Sequence, residues 1–224
     1  MPHRVGATDV KHVASTTQRL SQLAGDFGGI PMTAALSAHA QASEALLGAA
    51  MREPIRQHLL VALADAHSSA GGAAWDAGMR DLAREHFVRG MDCAGAAGDL
   101  IRAVFAVDGL GRLEFDVGQP NEALRLFQLG AATAPTPLLR AKLEYDCAWA
   151  LGLLGLATEA VATLRRALDS YHAASDEPRP WKNFAAALPH VEGRTYFALG
   201  RFDRAAVALS AAVDGAGHAA LCTV

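Results

Sequence analysis

A pattern of glycine, alanine and a large apolar residue occurs four times in this chain of 224 residues. In each copy the alanine follows the glycine by five positions, and the apolar residue follows the alanine by four. The copies are Gly78-Ala83-Phe87, Gly118-Ala123-Phe127, Gly155-Ala160-Leu164 and Gly200-Ala205-Leu209. Because successive glycines are 40, 37 and 45 residues apart, the pattern predicts a long-period repeat with insertions of variable length.

Small residues also occur at fixed distances from each glycine, seven positions before it and twelve positions after it. They are Gly71, Gly111, Ala148 and Gly193 before the glycines, and Gly90, Gly130, Ala167 and Ala212 after them. In an antiparallel helix pair, small residues belong where the two backbones approach closely, and glycine suits a helix end with left-handed backbone. The pattern therefore predicts helix–turn–helix units with the glycine in each turn. The predicted helices cover about 8–25, 33–47, 54–77, 79–96, 99–117, 120–133, 137–154, 157–174, 180–199 and 202–214, with Thr8 and Thr33 as the N-caps of the first two.

The composition favours the same architecture. Hydrophobic residues make up 51% of the chain and aromatic residues only 6%, and alanine and leucine outnumber the β-branched residues, which favours helices over strands. A net charge of -3 argues against general binding to nucleic acid or to a membrane surface. The first residues lack the apolar core of a secretory signal, and the three scattered cysteines fit a reducing compartment. We therefore expect a cytoplasmic protein that does not contact membranes.

The spacing of the pattern resembles the tetratricopeptide repeat, whose helix–turn–helix unit is nominally about 34 residues long. Pro135 occupies the position of the closing proline of that family after the second repeat. The resemblance implies an all-α fold, a right-handed α-solenoid of antiparallel helix pairs, with four repeats in residues 51–216. The glycine pattern is absent from residues 1–50, which we expect to form an N-terminal helical hairpin. Residues 217–224 are expected to begin a further, truncated helix.

A narrower resemblance begins at the N-terminus. The run from Arg4 to Val10, followed by Thr17, Leu20, Leu23 and Gly28-Gly29, is similar to the segment behind the DNA-binding domain of actinobacterial helix-turn-helix regulators of the xenobiotic-response-element class. The stretches 74–78 and 82–87, and later Pro180-Trp181, also resemble that family. The resemblance implies a sensory and oligomerisation module, a homodimer, with DNA read only by a separate domain outside this chain. A stand-alone scaffold that bridges protein partners, unrelated to DNA, stays open as the alternative.

In tetratricopeptide-repeat proteins the first helix of each pair lines a concave groove. If the positions of the family carry over, the groove of this chain combines aromatic rings with charges of both signs, which suits a peptide, a small-molecule effector or a protein partner. These residues are Asp65, Trp75, Asp76, Phe105, Asp108, Arg112, Phe115, Lys142, Tyr145, Trp149, His190, Arg194 and Phe197. We expect Trp149 and Tyr145 to face Phe115 and Arg112. That many of these aromatic residues only pack between neighbouring helices stays open.

Catalytic chemistry is not indicated by the sequence. The nine histidines show no spacing that would bring metal ligands together, and the glycines fall in helix turns, outside any phosphate-binding loop. Asp108 and Asp116 lie on one helical face with Arg112 midway between them, which favours a ladder of charge pairs over a catalytic carboxylate pair. His86 is expected to be solvated on the second helix of its pair. We therefore expect no enzyme activity, no cofactor and no metal.

Overall fold

The structure, a computed structural model, describes residues 4–173 and 184–216. Within those ranges it contains ten α-helices, two short 3-10 helices (Ile30–Met32 and Ala45–Gly48), and no strand beyond an isolated bridge between Arg4 and Ala50. The prediction of an all-α chain is therefore confirmed. The α-helices are α1 (Ala7–Phe27), α2 (Thr33–Glu44), α3 (Glu53–Asp76), α4 (Arg80–Ala97), α5 (Leu100–Asp116), α6 (Pro120–Thr133), α7 (Pro137–Leu153), α8 (Ala157–Ala173), α9 (Phe184–Ala198) and α10 (Phe202–Ala216).

The glycine of each repeat ends a helix in the left-handed conformation. The φ angles of Gly78, Gly118, Gly155 and Gly200 are 70°, 72°, 74° and 69°. In each turn the residue after the glycine donates its N–H to the carbonyl four positions before the glycine, as in Met79 to Ala74 at 2.9 Å. This hydrogen bond defines the Schellman motif, which satisfies carbonyls that the end of a helix leaves without partners. The predicted turns are confirmed in all four repeats.

The periodic small residues mark the crossing of the two helices of each pair. A Cβ atom on Gly71 would lie 2.9 Å from Cδ1 of Phe87, and one on Gly193 would lie 2.5 Å from Cγ of Leu209. The corresponding Ala148 and Leu164 share one core cluster. In these three repeats the residue seven positions before the turn thus meets the residue nine positions after it, so the two helices of each of these pairs run antiparallel. The Phe87 ring is also only 2.6 Å from where a Cβ on Gly109 would be placed, so two glycines flank this ring.

The chain forms two compact units, Met1–Leu113 and Glu114–Val224, with the boundary inside α5. In the first unit α1 and α2 both pack on α3, which pairs with α4. Val13, Leu59, Leu63 and Ala94 lie in one buried cluster of this unit. A second cluster brings α2 onto α3 through Leu36, Ala40, Ala66, Ala70 and Ala73.

In the second unit α7 is the central helix, because it contacts α6, α8 and α9, while α9 pairs with α10. Its buried cluster consists of Leu138, Tyr145, Ala148, Leu164 and Ala167. The backbones of α7 and α9 approach closely at Gly152, where an added Cβ would lie 3.3 Å from the carbonyl oxygen of Thr195. This close approach places the side chains of α7 next to those of α9.

The predicted helices agree with the observed ones to within a few residues, but two predicted caps are wrong. Helix α1 begins after Gly6, whose N–H donates to Oδ2 of Asp9 at 2.8 Å, so Thr8 lies inside the helix. The hydroxyl of Thr33 donates to the carbonyl of Ala73 at 2.9 Å and so joins the start of α2 to α3. The predicted helix start at residues 217–224 and the Pro180-Trp181 pair lie outside the described residues.

Candidate ligand-binding surface

Helix α7 presents a polar and aromatic face. Thr136 caps the helix by accepting the N–H of Leu139 at 3.2 Å, which fixes the helical register from its first turn. Lys142, Asp146, Trp149 and Leu153 then recur at spacings of four, three and four, and therefore share one side of the helix. The Nζ atom of Lys142 donates to Oδ2 of Asp146 at 3.3 Å. This ion pair is mostly buried, one turn before Trp149.

Trp149 is held by one residue from α5 and one from α9. The centroids of the Phe115 and Trp149 rings are 4.1 Å apart, and the central guanidinium carbon of Arg194 lies 3.5 Å from the Trp149 centroid. Phe115 and Arg194 therefore both contact the indole of Trp149. Phe115 in turn contacts the Phe127 ring at 5.2 Å. Trp149, Phe115 and Arg194 all remain partly exposed.

Exposed apolar side chains border this stack. Leu153 on α7 is 48% exposed, and Phe197 on α9 is 62% exposed. Phe197 contacts the exposed Phe202 edge-to-face, with the ring centroids 5.5 Å apart. His190 lies one turn before Arg194 on α9 and is partly buried. We call the side chains of Phe115, Lys142, Trp149, Leu153, Arg194 and Phe197 the α7–α9 surface.

Tyr145 does not belong to this surface, contrary to the sequence-based expectation. Its side chain is 1% exposed and packs with Leu138 and Ala148 of its own helix and with Leu164 and Ala167 of α8. Burial raises the pKa of its phenol, and its hydroxyl has no hydrogen-bond partner among the described residues. Tyr145 precedes Trp149 by four positions, but its side chain packs against α8. Sequence position alone does not distinguish the contacts of these two side chains.

The predicted groove residues of the first unit are engaged within the chain. Asp65 accepts two hydrogen bonds from Arg102, at 2.7 and 2.9 Å, and Arg102 also donates to Asp99 at 2.6 Å. The hydrogen bonds that Arg102 donates to Asp65 raise the pKa of the Arg102 guanidinium, which remains fully charged. Arg102 is absent from the predicted set, because its partner lies 37 positions away and no periodic signal links the two residues.

Asp108, in the middle of α5, forms the expected charge pair with Arg112. Nε of Arg112 donates to Oδ2 of the buried Asp108 at 3.3 Å, so the interpretation as a helical ion pair is supported over a catalytic carboxylate pair. Trp75 and Phe105 are partly buried. Asp76 lies against Gly29, the backbone of which hydrogen-bonds its carboxylate, while burial raises the pKa of Asp76.

His86 is buried, and the expectation that it is solvated is wrong. It is 1% exposed and forms a hydrogen bond between its Nδ1 and that of His67, at 3.0 Å. The two residues come from α3 and α4 and occupy positions that the helix crossing brings together. The sequence offers one signal for this pair: His86 lies on the same helical face as the buried Ala83 and Gly90.

The possible metal ligands and the cysteine thiols of the described residues lie as follows. No three histidine, cysteine or carboxylate side chains in these ranges gather closely enough to bind a metal ion. Burial raises the pKa of the Cys93 thiol to about 11 and that of the Cys147 thiol to about 12, so both thiols stay protonated near neutral pH.

Among the helices of residues 4–173 and 184–216, none combines the length and the apolar character that crossing a bilayer requires.

No protein-family model matches the chain, and no curated protein matches it. Among solved structures, the chain is similar to the crystal structure of BtubC (BKLC) from P. vanneervenii, with 15% sequence identity, a TM-score of 0.45, and coverage of 93% of this chain and 90% of that one.

Proposed function

We propose that this chain is a non-catalytic binding and oligomerisation module of a cytoplasmic transcriptional regulator, and that its ligand binds the α7–α9 surface. The main support for this ligand site is that the Trp149 indole contacts both Phe115 and Arg194. An indole already fixed by its neighbours loses little side-chain freedom when a ligand packs beside it. The exposed Leu153 and Phe197 add apolar contact area at its border.

The charges of this surface favour a peptide or small molecule that carries an anionic group. Lys142 is paired with Asp146, so an anionic group would compete with that carboxylate for the ammonium. Arg194 places the flat face of its guanidinium on the indole, and the N–H donors of a guanidinium lie in its plane, at the edge. We assign Arg194 as an anchor for a carboxylate such as a peptide C-terminus, which two parallel N–H donors bind well and which would compete with the contacts that Arg194 makes within the chain.

The regulator role is supported by the sequence resemblance of the N-terminal segment and of the first repeat. In this proposal a separate helix-turn-helix domain binds DNA, and this chain responds to the ligand and forms the dimer contact. The exposed Phe202, Val207 and Val213 of α10 support a protein contact at that helix. The free thiols of Cys93 and Cys147 support a cytoplasmic location.

The ligand site is tested by selecting random peptides on the full chain and measuring the affinity of the selected peptides by calorimetry. We expect Arg194→Ala to weaken binding by about tenfold or more, because a charge-assisted hydrogen bond contributes roughly 1.5–3 kcal/mol. Arg165→Ala is the matched control, since Arg165 is an exposed arginine of α8 in the same unit. Selected peptides that bind equally well to Arg194→Ala, or that require Arg165, would contradict the assignment.

The regulator role has its own test in the coding sequence upstream of Met1 in the same reading frame. A helix-turn-helix domain encoded there supports the regulator, and the joined protein should then shift a promoter fragment in a gel assay in a ligand-dependent manner. If no DNA-binding domain is joined and the isolated partners are proteins unrelated to transcription, the scaffold alternative replaces the regulator while the binding surface stands.

A further inference from the structure

Two buried histidines join helices α2, α3 and α4 in the first unit. Nδ1 of His67 on α3 lies 3.0 Å from Nδ1 of His86 on α4, and Nε2 of His86 lies 3.0 Å from Oγ of Ser37 on α2. Both imidazoles are almost completely enclosed, with 0% and 1% exposure. A hydrogen bond between two Nδ1 atoms requires a proton on one of them and a lone pair on the other.

The neighbours of the pair indicate which nitrogen carries each proton. Nε2 of His67 has no hydrogen-bond partner within normal reach but lies 3.6 Å from Oε2 of Glu44, at the end of α2. A protonated Nε2 is attracted by that carboxylate, whereas a lone pair there is repelled. We therefore assign a relay in which Ser37 donates to His86, His86 donates to His67, and the Nε2–H of His67 points toward Glu44. In this arrangement both rings are neutral and every polar atom faces a complementary one.

Glu44 is held in place from α4. Nη1 of Arg89 donates to both of its carboxylate oxygens, at 2.9 and 3.0 Å. Nε of Arg89 also donates to Glu85 at 3.2 Å. The relay and this ion pair together connect α2 to α3 and α4 at two positions, Ser37 and Glu44. The two positions are seven residues apart, which places them on the same side of α2.

Added protons disturb this arrangement. A second proton on His86 leaves a charge in an enclosed site, and a second proton on His67 brings two N–H groups face to face across 3.0 Å. Burial accordingly lowers the pKa of His67 to about 4 and also lowers the pKa of His86. Among the charged groups around the two rings, Glu44 from α2 and Glu85 from α4 favour the protonated forms, and Arg89 from α4 opposes them. Helix α1 contributes two hydroxyls nearby: Ser21 donates to Ser69 of α3 at 2.8 Å, and Thr17 lies 2.9 Å from Nε2 of His39 on α2. Burial also lowers the pKa of His39.

We propose that the His67–His86 pair is an acid-sensitive lock that holds α2 on α3 and α4 while both rings are neutral and releases α2 when the pair is protonated. The folded state binds fewer protons than an opened state, in which the rings have their ordinary pKa near 6.5. The stabilisation by the pair is therefore complete above about pH 6.5 and is lost progressively as the pH falls toward about 4. This lock lies in the first unit and does not depend on the ligand site proposed in the second.

Hydrogen–deuterium exchange of the full chain at pH 7.5 and pH 5.0, corrected for the intrinsic exchange rates, tests the lock. We expect the amides of α2 to lose protection by about tenfold or more at the lower pH, while those of α7 change little. His67→Gln should reduce this difference, because it removes one titrating ring of the pair, while His86 and His39 still titrate. His58→Gln, at an exposed position of the same helix, is the matched control and should behave like the unmodified chain.

Two results would overturn the lock. One is protection of α2 that does not depend on pH in the unmodified chain, and the other is an unchanged pH dependence in His67→Gln. If His67→Gln does not fold, His86→Gln provides the same comparison. Titration of the histidine ring signals by nuclear magnetic resonance needs no variant, and two buried rings that titrate near pH 6.5 would also overturn the proposal.

Discussion

The guanidinium of Arg194 lies over the ring of Trp149, with 3.5 Å between the central carbon and the ring centroid. The two residues belong to neighbouring helices, α9 and α7, that meet at Gly152. A cation over an indole face is attracted by the electron-rich ring, and the attraction grows when water is excluded from the contact. This pair therefore stabilises the packing of α9 on α7 as well as shaping the α7–α9 surface.

The contact between Arg194 and Trp149 is measurable by a double-mutant cycle. Arg194→Ala should lower the free energy of unfolding by about 0.5–1 kcal/mol, the usual contribution of a partly exposed cation–π pair. In a Trp149→Leu background the same change should have a smaller effect, because its aromatic partner is gone. Urea denaturation of the four proteins provides the coupling energy. Equal effects of Arg194→Ala in both backgrounds would show that the contact contributes nothing to stability.

Adjacent glycines of α3 should respond in opposite ways to alanine. A Cβ on Gly71 would lie 2.9 Å from the enclosed Phe87 ring, so Gly71→Ala should destabilise the chain by about 1–3 kcal/mol. A Cβ on Gly72 meets nothing within 4 Å, so Gly72→Ala should stabilise the helix by up to about 1 kcal/mol. Thermal and urea denaturation of the two variants decide this, and a loss of stability in Gly72→Ala would contradict the observed orientation of α3.

The repeat alanine of α8, Ala160, should not tolerate replacement by a larger side chain. Ala160 is completely buried, whereas Ala162 on the same helix is exposed. Ala160→Leu should therefore cost about 1–3 kcal/mol by overpacking, and Ala162→Leu should leave the unfolding midpoint nearly unchanged. Similar midpoints for the two leucine variants would show that the repeat register is wrong.

The exposed apolar side chains of α10 predict association in solution. Val207 is 74% exposed and Phe202 is 61% exposed, and exposed apolar side chains of this size favour a homodimer that covers them. Sedimentation should show a mass that rises to that of a dimer with concentration, and Val207→Glu should return the chain to a monomer. Ala162→Glu, on an exposed part of α8, is the control and should dimerise normally. A monomeric mass at all concentrations would exclude this dimer.

The helices and turns could be predicted because their signals are local. A left-handed glycine ends a helix through hydrogen bonds within six residues, as at Gly78, and the sequence shows that glycine directly. The small residues could be predicted for a related reason, since the crossing of two helices repeats with every pair. Both signals recur along the chain in the same order, which distinguishes them from chance occurrences of small residues.

The side-chain partners could be predicted only in part. Phe115 and Trp149 were expected to face each other and do so. The burial of the Tyr145 and His86 side chains was not predicted. It depends on whether a side chain points toward the neighbouring helix of its pair or toward solvent, and the sequence pattern does not determine this. The pairing of Asp65 with Arg102 joins residues 37 positions apart. A single sequence contains no pattern that links two residues at such a separation.

The enclosure of the Phe87 ring by Gly71 and Gly109 also has an evolutionary consequence. A methyl group gained at either glycine leaves no room for the ring, so the volumes at these three positions are linked. Related chains that carry alanine at position 71 or 109 should carry a smaller residue at position 87, and those that keep phenylalanine should keep both glycines. Compensating exchanges of this kind would appear as correlated substitutions among homologues.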